Sequence, residues 1–279
     1  MKSFDGRVVA ITGAGSGIGR ALSVDLARRG ALLALCDIDA VGLGQTVALV
    51  TSAGAREVRH DVVDVAHRPA VEAWAADVVG RFGRVEVLVN NAGVAVTGDF
   101  GDLAPDDMEW IVGINFWGVV HVTQAFLPHL IRSGDGHIVM MSSLFGLMSV
   151  PGQSLYIATK FAVRGLGEAL REELIVSEAP VRLTVVHPGG VQTNIVRNAR
   201  VSDHESYEAT RRLFEERLAR TTPEKAAAVI LQGLLRGKPR VLVGADAHVL
   251  HHAVRLTGAR YQDVVARVSR RTRRRVGER

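Results

Sequence analysis

Short runs of aliphatic residues alternate along the chain with longer stretches in which apolar residues recur every three or four positions. The short runs have the length of buried strands, and the longer stretches have the spacing of amphipathic helices. The predicted strands are Val8 to Thr12, Leu32 to Asp37, Glu57 to His60, Val85 to Asn90, His137 to Ser142, Arg182 to His187 and Arg240 to Val243. Because strands separated by helices favour right-handed crossovers, the pattern predicts an α/β fold with a doubly wound, parallel seven-stranded sheet and helices on both faces.

The pattern indicates one domain with two appendages. Residues 1–243 form the predicted cofactor-binding and catalytic domain, which includes a polar helical insert at about 194–220. Residues 244–279 form a basic C-terminal extension, in which apolar residues at helical spacing, interrupted at Gly258, predict two short amphipathic helices.

The composition narrows the class of protein. Of 279 residues, 47% are hydrophobic and 23% charged, which excludes a disordered or collagen-like chain. The single cysteine, Cys36, lies in an apolar run and is expected to be a small buried hydrophobe. No window holds roughly 18 uninterrupted apolar residues, and the first residues lack a signal-peptide pattern. A cytoplasmic location is therefore expected.

The net charge of +5 arises at the end of the chain. Residues 255–279 hold nine arginines and two acidic residues, or +7, which leaves +5 minus +7, or −2, for residues 1–254. Because the basic residues cluster in the tail and no aromatic residues interleave them, we expect no nucleic-acid partner.

A glycine-rich segment, Thr12 to Gly19, follows the first predicted strand and precedes a helical pattern. Glycines allow positive φ and let backbone N–H groups approach a pyrophosphate at the start of a helix. The spacing Gly-x-x-x-Gly-x-Gly departs from the common Gly-x-Gly-x-x-Gly, so a plain strand-to-helix turn remains an alternative for this segment alone.

Asp37 ends the second predicted strand, where a carboxylate can accept hydrogen bonds from both ribose hydroxyls of an adenosine. The same carboxylate would repel a 2′-phosphate, and no Arg or Lys stands at Ser16 or directly after Asp37, which favours NAD over NADP. Asp39 is expected to cap the next helix. Two further segments follow strand ends: Asp61-Val62, suited to the adenine, and Asn90 to Gly93.

Tyr156 and Lys160 lie four residues apart on a predicted helix, so their side chains share one face. Ser143 lies at the end of the fifth predicted strand, and Asn115 lies within the preceding helix. Each residue alone has an ordinary structural interpretation, since buried Tyr and Ser satisfy hydrogen bonds and a mid-helix Asn often marks a bend. Together with the glycine-rich segment they indicate a chemical site.

These motifs resemble those of the short-chain dehydrogenase/reductase superfamily, in its compact single-domain branch, over residues 5 to about 243. The matching residues are the Thr12 to Gly19 loop, Asn90 to Gly93, Asn115, Ser143, Tyr156, Lys160, Pro188-Gly189 and Thr193. The resemblance implies a Rossmann fold with strand order 3-2-1-4-5-6-7 and hydride transfer between a nicotinamide and an alcohol or carbonyl.

The resemblance also assigns roles to individual residues. It implies that Tyr156 is the catalytic acid/base and that Lys160 supports it and binds the nicotinamide ribose. It implies that Ser143 bonds the substrate oxygen and that Asn115 holds a water in the proton path. The cofactor-binding residues expected are Gly13, Gly15, Ser16, Gly17, Ile18, Gly19, Asp37, Asp61, Val62, Asn91, Ala92, Gly93, Tyr156, Lys160, Pro188, Gly189, Val191 and Thr193. No metal site is expected.

The residues next to this chemistry are mostly apolar, and none is charged. An anionic or sugar substrate would call for polar or cationic partners there, so we expect a lipophilic secondary alcohol or ketone, such as a sterol-like, terpenoid or long-chain compound. The alternative is that several of these side chains only pack the core. The substrate residues expected are Val94, Ser143, Leu144, Phe145, Val150, Gln153, Tyr156 and Ile195.

Assembly is expected by the same resemblance: a homodimer or homotetramer formed through the helices at about Asp106 to Ile131 and Leu155 to Ser177. The C-terminal extension has two interpretations, packing on the body or a neighbouring subunit, which the sequence favours, or peripheral contact with a membrane. The insert at about 194–220 is expected to be a substrate lid. Alternative functions are an NADPH-dependent ketone reductase and a non-catalytic NAD-sensing or scaffold protein.

Overall fold

The computed structural model describes residues 1–195, 197–202, 208 and 219–277, with side chains up to residue 271. The strands are β1 (Val8–Thr12), β2 (Leu32–Asp37), β3 (Val58–Val62), β4 (Val87–Asn90), β5 (Val96–Thr97), β6 (Gly136–Met141), β7 (Val181–Pro188), β8 (Arg200–Val201) and β9 (Arg240–Val243). The helices are α1 (Gly17–Arg28), α2 (Ala40–Ser52), α3 (Arg68–Phe82), α4 (Pro105–Val112), α5 (Gly118–Arg132), α6 (Ser154–Val176), α7 (Pro223–Leu235), α8 (Ala245–Thr257) and α9 (Tyr261–Gly277).

The main sheet has seven parallel strands in the order β3-β2-β1-β4-β6-β7-β9. The two-residue strands β5 and β8 form a separate parallel pair. When the seven main strands are numbered among themselves, the order is the predicted 3-2-1-4-5-6-7, and the predicted doubly wound fold is confirmed.

Strand boundaries differ from the prediction by one or two residues. The third strand runs to Val62 instead of His60, so Asp61 and Val62 belong to the strand and do not follow it. They pair with Cys36 and Asp37 of β2, and this pairing extends β3 two residues beyond its predicted end.

Helices cover both faces of the sheet. On one face α1, α2 and α7 pack over an apolar core that includes Leu22, Leu43 and Ile230. On the other face α3, α5 and α6 cover a second core, where the rings of Trp74 and Phe126 meet edge to face 4.9 Å apart. Because all seven strands are parallel, their carboxyl ends lie at one edge of the sheet, where open α/β folds bind ligands.

The helices α4 and α5 form one run, Pro105–Arg132, joined by a π-helical turn at Gly113–Trp117. The run has the length of a membrane span and, with a mean hydropathy of 1.3 over an 18-residue window, the composition of one. Its apolar residues also contribute to the cores of the fold, since Ile111 and Phe126 are fully buried. The π-helical turn holds Asn115, for which a helix bend was the structural alternative to a role in the site.

The C-terminal extension has the predicted pair of helices, α8 and α9, and the predicted break at Gly258, where φ is +56°. The helix α8 begins at Ala245, and Ala247 and His251 are buried against the body of the protein. The insert predicted at about 194–220 lies mostly outside the described residues. Its described part includes β8, which pairs with β5 beside the sheet edge.

Candidate active site

The glycine-rich loop between β1 and α1 is built around close backbone approaches. Gly13 and Gly17 have φ values of +65° and +51°, which glycine adopts without strain. A Cβ on Gly19 would lie 2.1 Å from the carbonyl oxygen of Gly13, so a side chain there would collide with the loop. This conformation explains the spacing Gly-x-x-x-Gly-x-Gly, because Gly13 and Gly17 have positive φ and Gly19 has no room for a side chain.

The loop after β4 is hydrogen-bonded to β1 and to this glycine-rich loop. The Asn91 amide Nδ2 donates to the carbonyl oxygens of Thr12 and Gly13 at 3.1 and 2.9 Å. The backbone N–H groups of Asn91 and Ala92 both donate to the Thr12 hydroxyl at 3.0 Å. Asn91 and Ala92, predicted as cofactor contacts, therefore lie beside the glycine-rich loop. Thr12, which the sequence placed in that loop but not among the cofactor contacts, is a positioning residue.

Asp37 lies at the end of β2 against the glycine-rich loop. Its Oδ2 accepts a hydrogen bond from the Gly15 N–H at 2.7 Å, and its Oδ1 accepts one from the Asp39 N–H at 2.9 Å. As predicted, Asp39 caps α2, accepting hydrogen bonds from the N–H groups of Val41 and Gly42. Asp37 is thus fixed in orientation at the edge of the sheet.

Two apolar side chains flank Asp37 in the open cleft. Val62, which pairs with Asp37 in the sheet, is 60% exposed, and Ile38, directly after Asp37, is 66% exposed. Such side chains fit the faces of an adenine ring. Sequence reasoning did not select Ile38, although its position directly after Asp37 could have indicated a residue beside the adenosine. Asp61, predicted beside Val62, instead directs its carboxylate to Arg59 in a two-point ion pair at 2.9 Å.

Ser143, Tyr156 and Lys160 meet at the carboxyl end of β6. The Ser143 hydroxyl accepts a hydrogen bond from the Phe145 N–H at 3.1 Å and also bonds the Tyr156 side chain. Lys160 Nζ lies 5.6 Å from the centre of the Tyr156 ring and donates to the Met141 carbonyl at 3.1 Å. The structure therefore brings together three residues that sequence placed on two different elements.

Burial shifts the acidities of this group. It raises the pKa of Tyr156, a shift that the hydrogen bond with Ser143 partly offsets. It lowers the pKa of Lys160 to about 8, because little solvent stabilises the ammonium. Such perturbed groups in a cleft are typical of sites that move protons.

Asn115 is fully buried next to this group and uses its side chain to hold a loop. Its Oδ1 accepts from the Val94 N–H at 2.8 Å, and its Nδ2 donates to the Val94 carbonyl at 2.9 Å. The same Nδ2 lies 3.2 Å from the Thr159 hydroxyl oxygen on α6. Asn115 thus ties Val94 to the helix of Tyr156, and the water predicted for it would need a partner other than these side-chain atoms.

His187 near the end of β7 is a site neighbour that sequence reasoning missed. Its Nδ1 lies 2.9 Å from the carbonyl oxygen of Ser143, so this nitrogen is the donor. Burial lowers the pKa of His187 to about 4, which keeps the ring neutral near pH 7. His187 therefore fixes the backbone of Ser143 from the adjacent strand.

The segment after β7 closes the other side of the cleft. Pro188 is the last residue of β7, and the Gly189 N–H bonds the Val243 carbonyl at 2.9 Å. Val191 is buried, and Thr193 lies against the glycine-rich loop, since a Cβ on Gly17 would be 3.0 Å from its methyl group. Sequence reasoning did not select Asp246 of α8, whose carboxylate accepts a hydrogen bond from the Gly190 N–H at 2.7 Å.

Tyr156 belongs to an apolar cluster. It includes Val94, Phe145 and Ile195 of the predicted substrate residues, together with Val96, Ile111 and Trp110. The Phe145 and Tyr156 rings meet edge to face at 6.3 Å.

The remaining predicted substrate residues lie outside this cluster. Leu144 is buried, Val150 is half-buried, and Gln153 donates to the Thr97 hydroxyl at 2.8 Å. Within the described part of the chain, no group of three His, Cys, Asp or Glu side chains could hold a metal ion.

Comparison with known proteins agrees with this geometry. A family model described as short chain dehydrogenase matches residues 7–204. SadH of Mycobacterium tuberculosis, named as an oxidoreductase, is 51% identical over 266 residues, which are 95% of this chain and 96% of SadH. Mouse epidermal retinol dehydrogenase 2 is 37% identical over 195 residues, 70% of this chain and 63% of that protein.

Solved structures show the same likeness. A short chain dehydrogenase/reductase from Burkholderia phymatum, in complex with NAD, superposes with a TM-score of 0.83 and 31% sequence identity. The match covers 92% of this chain and 93% of that one.

Proposed function

Because the chain belongs to the short chain dehydrogenase family, we propose that it oxidises lipophilic secondary alcohols, or reduces the matching ketones, with NAD as cofactor. Membership makes it an oxidoreductase that acts on CH–OH groups with a nicotinamide nucleotide, NAD or NADP. The observation that carries the finer proposal is the position of Tyr156, which lies between Ser143, Lys160 and an apolar cluster.

Tyr156 is the proposed acid/base. To accept a proton near neutrality, an ordinary tyrosine must lower its pKa by about 3, which corresponds to roughly 4 kcal/mol, and burial adds to that requirement. One ammonium about 5.6 Å away, as Lys160 Nζ is from the ring centre, supplies roughly 3 kcal/mol at an effective dielectric constant of 20. The positive charge of an oxidised nicotinamide lowers the pKa further, so protonated Lys160 is necessary but not alone sufficient.

The proton and the hydride leave the alcohol from two atoms. Tyr156 takes the hydroxyl proton in the oxidation and returns it to the carbonyl oxygen in the reduction. The Ser143 hydroxyl, whose oxygen already accepts a hydrogen bond from the Phe145 N–H, is oriented to donate to the same substrate oxygen. When bound, the nicotinamide accepts the hydride from the alcohol carbon or gives it back to the ketone.

The preference for NAD is supported by the adenosine end of the cleft. The Asp37 carboxylate would repel a 2′-phosphate and can accept hydrogen bonds from ribose hydroxyls. The guanidinium of the adjoining Arg20 already donates to the Gly15 carbonyl, the Gly42 carbonyl and Gln45 Oε1. These hydrogen bonds use N–H groups of the guanidinium within the protein and leave fewer of them for a 2′-phosphate.

The lipophilic substrate class is supported by the apolar cluster around Tyr156 and by a relative. Val94, Phe145 and Ile195 present carbon surface to the reacting hydroxyl, and none of the predicted substrate residues is charged. The relative named epidermal retinol dehydrogenase 2 acts, by its name, on retinol, a lipophilic alcohol.

We also propose that the protein is a homodimer or homotetramer. The helical run α4 to α5 and the helix α6 expose large apolar side chains, among them Trp117 at 50% and Ile175 at 57%. An apolar surface of this kind on a small enzyme is typical of an interface. A light-scattering mass of a monomer at micromolar concentration would contradict this assembly.

The experiment compares wild type with Tyr156→Phe over a panel of apolar, sugar and anionic secondary alcohols, with NADP alongside NAD. We expect NADH formation with apolar alcohols only, at least about a hundredfold slower turnover in the variant and unchanged NAD affinity. Faster turnover of sugar or anionic alcohols would reject the substrate class. Tight NAD binding without turnover of any alcohol would favour an NAD sensor.

A further inference from the structure

The C-terminal extension exposes a row of apolar side chains, although one of its faces is fixed to the body. Val249 and Leu256, seven residues apart on α8, are 67% and 87% exposed, and Val264 and Val268 on α9 are both 57% exposed. We refer to these four residues as the C-terminal stripe. On the opposite side of α8, Ala247 and His251 are buried, so packing of this helix leaves the stripe outside.

The same segment carries the positive charge of the protein. Residues 255–279 hold nine arginines against Asp263 and Glu278, or +7, whereas residues 1–254 sum to −2. The described arginines of this segment are exposed: Arg255, Arg260, Arg267, Arg270 and Arg271. Apolar and cationic side chains therefore share one surface.

We propose that the C-terminal stripe and its arginines bind the surface of an anionic lipid membrane. On α9, Arg267 and Arg271 follow Val264 and Val268 by three residues, so exposed apolar and cationic side chains lie next to each other on the helix surface. Such a surface is suited to the interface, where carbon enters the acyl boundary and arginine meets lipid phosphate. A nucleic acid would use the arginines but leave the stripe in water. Charge complementarity together with the stripe thus favours a lipid surface.

Tyr261, the first residue of α9, fixes the position of this surface on the enzyme. Its hydroxyl accepts from the Ser149 N–H at 2.9 Å and lies 2.9 Å from the Ser149 hydroxyl. Ser149 belongs to the loop between Ser143 and Tyr156. Membrane binding through α9 would therefore bring the substrate side of the enzyme to the bilayer, although the inference itself does not depend on the substrate proposed above.

The test is co-sedimentation of the full chain with phosphatidylcholine vesicles, alone and mixed equally with phosphatidylglycerol. We expect binding to the anionic vesicles that weakens as salt rises. The triple variant Arg267→Gln, Arg270→Gln, Arg271→Gln should bind these vesicles roughly a hundredfold more weakly, since each arginine near an anionic surface contributes about one kcal/mol.

The double variant Leu256→Asp, Val264→Asp tests the stripe and should weaken binding at least about tenfold. The matched control is Leu49→Asp, which changes a 46% exposed leucine on α2 and should leave binding unchanged. Absence of binding to anionic vesicles, or binding that survives both the double variant and deletion of residues 269–279, would overturn the proposal. A third result would also overturn it: wild type does not bind vesicles, and light scattering shows that the double variant no longer associates into oligomers. The C-terminal stripe would then be an interface with a second copy of the chain.

Discussion

Replacing Lys160 with methionine is expected to stabilise the protein free of nucleotide while abolishing its activity. Lys160 is 4% exposed, and burial lowers its pKa from 10.5 to about 8. The folded state therefore binds this proton more weakly than the unfolded state does. Below pH 8 Lys160 is protonated in both states, so the free energy of unfolding is reduced by the full cost of burying the ammonium. At 1.36 kcal/mol for each pKa unit, this cost is about 3 kcal/mol.

The variant also loses a hydrogen bond. Lys160 Nζ donates to the Met141 carbonyl, and leaving such a group without a partner costs about 1 to 2 kcal/mol. The expected net gain at pH 7 is thus about 1 to 2 kcal/mol. As pH rises through 8 toward 10.5 the cost of the buried ammonium disappears, so the advantage of the variant should shrink by about 2 kcal/mol between pH 7 and pH 10.

The assay is urea unfolding of wild type, Lys160→Met and the control Lys225→Met at both pH values, without nucleotide. Lys225 lies exposed on α7, so its variant should match wild type at either pH. A difference between Lys160→Met and wild type that stays constant with pH would refute the reasoning, as would a variant less stable than wild type at pH 7. A positive result would mean that Lys160 is kept for the chemistry at a cost in stability.

Three further outcomes are expected. Gly19→Ala should weaken NAD binding about tenfold or more in calorimetric titration, because its Cβ would meet the Gly13 carbonyl at 2.1 Å, whereas Gly44→Ala, with open space around it, should bind normally. Burial lowers the pKa of His137 to about 3, so this ring stays neutral in the folded state and the free energy of unfolding falls as pH drops below 6.5. Between pH 7 and 4.5, His137→Gln should lose about 3 kcal/mol less free energy of unfolding than wild type in urea unfolding. An equal loss in the two proteins would contradict this. Because burial raises the pKa of Tyr156, kcat/KM for alcohol oxidation should rise with pH above neutrality and that for ketone reduction should fall, and a flat profile would argue against Tyr156 as acid/base.

Much of the fold and the site was open to prediction because it depends on local pattern. Runs of aliphatic residues predicted all seven main strands, and the glycine spacing predicted the loop after β1. Tyr156 and Lys160 could be paired because four residues on a helix place two side chains on one face. Asp37 could be placed at the edge of the sheet because a strand end is a local feature.

The tertiary structure decided which distant groups meet. His187 bonds the Ser143 carbonyl across 44 positions, Asp246 bonds the Gly190 N–H across 56, and Tyr261 bonds Ser149 across 112.

The reason is that hydrophobic periodicity sets the length and buried face of each element, while the polar partner of a given side chain depends on sheet register and helix packing. The sequence by itself therefore determined the family and the reaction class, and it predicted which residues react. Only the tertiary structure determined what holds those residues in place, and that the C-terminal extension holds the loop after β7 through Asp246 while its C-terminal stripe stays exposed.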